Sequence, residues 1–169
     1  MAVSGIALLS LVGWLWWNLL RPLPSDVELE RRFREHRQDL DTLVAMAVAD
    51  TQLVGMGHDP MLMRFVVFVH DRPQFNRLLT DGEVRATGRS EYRPRMGRAG
   101  IPALSRARGG DAVWFVVRSR IGARKGYVYS EKPLAPLRHS LDGFERASAG
   151  SSGYVPLAPR WFLFLEPSD

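Results

Sequence analysis

The chain has 169 residues and no cysteine, which excludes disulfides, thiol nucleophiles, thiolate metal sites and attachment through a lipidated cysteine. Its formal charge is +5, carried by 21 Arg and only two Lys, Lys125 and Lys132. That charge is uneven, because residues 85–125 hold eleven basic side chains against Glu91 and Asp111, a net +9, and the rest of the chain is −4.

From Ala2 to Leu20 there are 19 residues without an ionisable side chain. As a helix this run covers roughly 28 Å, close to the hydrocarbon thickness of a bilayer at about 30 Å. It predicts a transmembrane anchor over residues 1–20, with the lipid bilayer as its partner through residues 2–20. Trp14, Trp16, Trp17 and Arg21 are the expected membrane-interface residues, since an indole keeps its ring in the acyl boundary and its N–H among headgroups. A cleaved signal peptide is the weaker reading, because no basic start and no small-x-small cleavage site is present. A buried core helix is weaker still. By the positive-inside rule, Arg21, Arg31, Arg32, Arg34 and Arg37 after the run favour a cytoplasmic C-terminal domain, although only Arg21 lies outside a mixed-charge helix.

Residues 21–24 form a Pro-containing linker, and residues 25–169 are expected to make one globular α+β domain. Ser25 and Glu28 read as a capping box opening an amphipathic helix over Asp26 to Ala49, whose apolar stripe is Leu29, Phe33, His36, Leu40, Leu43, Val44 and Ala47. Gly55 to Pro60 reads as a turn cluster and the run through Val69 as a buried strand. Pro73 to Leu79 suggests one or two helical turns, Glu83 to Thr87 an exposed strand, and Ser90 to Met96 a short helix. The segment from Arg106 to Asp111 reads as a loop. Ala112 to Arg118 and Gly126 to Tyr129 suggest a hairpin, and Ser148 to Gly153 a loop. Trp161 to Leu165 is the last strand. The sum is a long helix packed on an antiparallel sheet of about five strands.

The four histidines, His36, His58, His70 and His139, have no metal-ligand spacing. No Gly-x-Ser-x-Gly elbow in strand-turn-helix context and no phosphate-cradling glycine pattern occurs. The expectation is therefore a non-enzyme without a cofactor or metal. The remaining candidate binding surface is Arg124, Lys125, Tyr127, Tyr129 and Trp161, with Trp114 as a neighbour, because period two puts both tyrosines on one strand face. The competing reading, tyrosines packed at the core edge, carries more weight. For the basic segment 85–125 a solvated face outweighs a surface for anionic lipid or another polyanion, and nucleic acid is disfavoured.

Several stretches resemble a family of small bacterial envelope proteins with no assigned activity. They are Phe33-Arg-Glu-His36-Arg37 through Met46, Glu91-Tyr92 leading to Gly100-Ile101, Lys125-Gly-Tyr-Val-Tyr-Ser130, Ser140-Leu-Asp142 and Trp161-Phe-Leu-Phe. The likeness covers most of residues 29–166 and implies a lipoprotein-like or anchored domain facing the periplasm, against the charge count. The chain lacks the family's lipidated cysteine and basic start. The combined expectation is a single-pass inner-membrane protein with a non-catalytic binding or structural domain, its partner a protein or anionic lipid. The alternative is a peripheral sensor of anionic lipid or polyanion through residues 85–125.

Overall fold

The computed structural model describes residues 22–59, 64–72, 75–120, 122–143 and 152–167. Ser25 starts the first helix: its extended backbone lets Oγ accept the Glu28 N–H at 3.2 Å, and α1 runs Asp26–Ala49. The Glu28 carboxylate pairs with Arg32 instead of reaching back to the cap. Further i, i+4 pairs join Arg31 to Glu35, Arg34 to Glu30 and Arg37 to Asp41 on the exposed side. The other side buries Leu29, Phe33, Leu40, Leu43, Val44 and Ala47. His36, half-buried, departs from helical geometry at φ −115° and ψ 16°.

The strands are β1 (Leu53–Asp59), β2 (Arg64–Arg72), β3 (Phe75–Leu78), β4 (Ala103–Arg106), β5 (Ala112–Arg120), β6 (Ala123–Ser130), β7 (Gly153–Ala158) and β8 (Trp161–Glu166). They form one sheet in the order β3-β2-β1-β4-β5-β6-β8-β7, every neighbouring pair antiparallel. Between β3 and β4 lie α2 (Asp81–Ala86), a 3₁₀ turn (Arg89–Glu91) and α3 (Tyr92–Arg98). The excursion from β1 through β2 and β3 returns by these short helices, so that β4 pairs with β1.

The main core lies under α1, where Leu29, Phe33 and Leu43 share one cluster with Phe115, Tyr127, Trp161 and Leu163, joined by Met96 and Ile101. Alternation along the strands sends Val116, Val128, Tyr154 and Phe164 to a second cluster on the opposite face. Leu134, from the segment between β6 and β7, packs against it. That segment is stitched to β7 by the Arg138 N–H to the Tyr154 carbonyl at 2.8 Å and the Tyr154 N–H to the Pro136 carbonyl at 3.1 Å.

The structure corrects the α+β expectation of about five strands: the sheet has eight and dominates the fold. Gly55 and Gly57 belong to β1, not to a turn. A Cβ on Gly57 would stand 2.7 Å from the Pro102 carbonyl oxygen, and one on Gly55 2.9 Å from that of Leu104. The glycines therefore admit β4 rather than ending the strand. In place of the helical turns expected before Leu79, Phe75–Leu78 is the edge strand β3, paired with β2. Glu83 to Thr87, expected as a strand, lies largely in α2, because Thr80 and Glu83 close a reciprocal capping box. Strand β7, absent from the sequence reading, tolerates Pro156 because it is the other edge of the sheet.

The expectation of a single-pass inner-membrane protein is likewise corrected. Among the described residues no helix is long and apolar enough to cross a membrane, and α1 carries ion pairs along its length. The expected anchor over residues 1–20, with Trp14, Trp16, Trp17 and Arg21, lies outside the described residues.

Candidate functional site

Strand β6 turns Lys125, Tyr127 and Tyr129 toward α1 and Arg124 to the opposite face. Lys125 is only 1% exposed, and its ammonium lies 2.8 Å from Asp26 Oδ1 and 2.8 Å from Asp142 Oδ1. Asp26 also accepts the Ser140 hydroxyl and the Leu141 N–H, each at 2.7 Å, while its own N–H donates to the Asp142 carboxylate. Burial raises the Asp26 pKa, but hydrogen bonds from Lys125, Ser140 and Leu141 outweigh it and hold the group below its ordinary 3.8.

The Tyr127 hydroxyl donates to the Leu29 carbonyl at 2.9 Å, and burial pushes the phenol well above its usual pKa. Trp161 is buried, its Nε1–H donating to Asp41 at 3.2 Å and its ring meeting Phe33 edge-on at 5.1 Å. Half-buried Tyr129 accepts from Arg160 at 3.1 Å. On the opposite face Arg124 pairs with Glu166 at 2.9 Å, and Glu166 also accepts from Tyr154 and Trp114. The residues grouped by sequence as a binding surface thus fasten α1 to the sheet and the last strand to its neighbours.

A cleft of about 310 Å³ lies elsewhere, lined by Arg64, Phe65, Asp81, Val84, Arg85, Ser90 and Arg93. The start of β2 supplies Arg64 and Phe65, α2 supplies Asp81, Val84 and Arg85, the 3₁₀ turn Ser90, and α3 Arg93. The Arg93 guanidinium stands 5.9 Å from the centre of the Phe65 ring.

Each wall has its own fastening. In α2 the Thr80 N–H donates to Glu83 Oε2 at 2.8 Å, and Arg77 donates to Oε1 at 2.7 Å. The Thr80 N–H and Arg77 hold the Glu83 carboxyl down to about 2. The 3₁₀ turn is pinned by buried Arg89, bidentate to Asp50 at 2.6 and 2.7 Å, at the end of α1. Buried Tyr92 and Met96 seat α3, and Arg98 grips Asp39 on α1 at 2.6 Å.

Arg37, Arg89, Arg98 and Arg124 each hold a carboxylate. Among the described residues, by contrast, no carboxylate lies within ion-pair distance of Arg64, Arg85 or Arg93, although Asp81 shares their cleft. All three side chains belong to exposed residues. The cleft therefore offers guanidinium donors with unused capacity, one acceptor, one hydroxyl and a small apolar wall.

By sequence Arg85 and Arg93 are members of the basic segment, and Arg64, Phe65, Asp81, Val84 and Ser90 carry no binding signal of their own. The pattern Thr80-Asp-Gly-Glu83 was the available signal, since a capping box places Arg85 on a helix. His58 and His139 are exposed, His70 is half-buried, and among the described residues no three His, Asp or Glu come together as metal ligands. No protein-family model, curated protein or solved structure matches this chain.

Proposed function

We propose that this chain is a non-catalytic binding domain for an anionic partner, met by the cleft arginines within and beside the basic segment 85–125. The observation that carries the reading is the set Arg64, Arg85 and Arg93, which face one cleft from three elements without a carboxylate in ion-pair distance among the described residues. Like charges gathered on one wall repel, and an anion placed between them relieves that repulsion. The non-catalytic part of the reading is supported by Lys125 and Tyr127, whose reactive atoms are already engaged with Asp26, Asp142 and Leu29.

Binding of inorganic polyphosphate over a salt series tests this. With roughly three guanidinium contacts, affinity should fall about twentyfold to fortyfold for a roughly fourfold rise in salt. Absent or salt-independent binding would contradict it.

A further inference from the structure

Resting on the anionic partner proposed above, we infer that the cleft takes a phosphate monoester of a small hydroxylated alcohol. A carboxylate is planar, offers two oxygens and is satisfied by one guanidinium fork. A phosphate monoester carries a charge of about −1.5 to −2 and three terminal oxygens. Arg64 from β2, Arg85 from α2 and Arg93 from α3 provide three forks of matching sign, with the Ser90 hydroxyl as a further donor.

Asp81 sets the rest of the ligand. Its carboxylate repels a bare phosphate but accepts hydrogen bonds from the hydroxyl groups of an attached alcohol. Val84 and Phe65 give the ligand's carbon atoms an apolar wall. The Phe65 ring already carries the Arg93 guanidinium at 5.9 Å, which argues against a stacking platform for a nucleotide base. A volume of about 310 Å³ sits at the small end for ligand sites and suits a headgroup-sized ester. That ester chemistry occurs both free in solution and at the head of a phosphorylated lipid.

Calorimetric titration of the full chain with glycerol phosphate, and flotation with phosphatidylcholine vesicles with and without phosphatidylinositol phosphate, separate the two sources. Binding in either arm, weakened about tenfold by each of Arg64→Gln, Arg85→Gln and Arg93→Gln, is the expected result. Asp81→Asn should tighten inorganic phosphate while weakening glycerol phosphate. Because the three arginines are exposed and hold no ion pair among the described residues, unchanged thermal unfolding of the variants confirms that they fold. Ester binding that is absent, with salt-sensitive polyphosphate binding retained and weakened by the three substitutions, overturns the ester assignment and leaves the anionic partner standing; binding indifferent to the three substitutions overturns both. Loss of polyphosphate binding as well overturns both.

Discussion

Lys125 sits where three parts of the chain meet: its own strand, Asp26 at the start of α1 and Asp142 before β7. Replacing it by Met removes the cation shared by a half-buried and an exposed carboxylate, and the variant should lose about 2 kcal/mol in a denaturant titration. Asp26 adds a pH dependence of definite sign. Its folded pKa lies below the 3.8 of the unfolded chain, so its contribution is fully present above that value and is lost as pH falls through the lower folded value. Acid unfolding of Asp26→Asn should show a correspondingly smaller loss over that window. The sequence marks Lys125 as one of only two lysines, yet its partners come from distant turns of the chain, which no local pattern reveals. The same holds for Tyr127: period two puts it on a face, but only the fold shows that α1 covers that face and that its hydroxyl serves the Leu29 carbonyl.

The short helices behave differently from the long one. Ser25 and the apolar stripe write α1 into the sequence, because its signal is local and repeats over 24 residues. Six-residue α2 has no buried residue and depends on its cap. Thr80→Ala should cost about 1 kcal/mol and weaken anion binding as Arg85 loses its seat, both measurable on one purified variant. Hydrogen bonds from Thr80 and Arg77 hold the Glu83 carboxyl down to about 2, so the carboxylate half of the box stays charged through neutral and mildly acidic conditions. Strands were legible where β-branched and aromatic residues run together, as in β5 and β8. They were hidden in β1 and β7, where glycine and proline answer to close backbone approach and to a sheet edge, both tertiary facts.

Across the whole molecule, the sheet and α1 form the scaffold, and the excursion between β3 and β4 carries Asp81, Val84, Arg85, Ser90 and Arg93 back to the first residues of β2. Arg89 to Asp50 and Arg98 to Asp39 tie that excursion to α1, so the cleft is held by the same helix that covers the core. Net charge alone would attract an anion to any basic face; the cleft makes a stronger claim, that position matters. The direct test compares two double variants of equal charge, Arg85→Gln with Arg93→Gln in the cleft, and Arg31→Gln with Arg34→Gln on the exposed side of α1. On polyphosphate at fixed salt the cleft pair should lower affinity about a hundredfold and the helix pair less than about twofold. Equal losses from the two pairs would contradict a defined anion site.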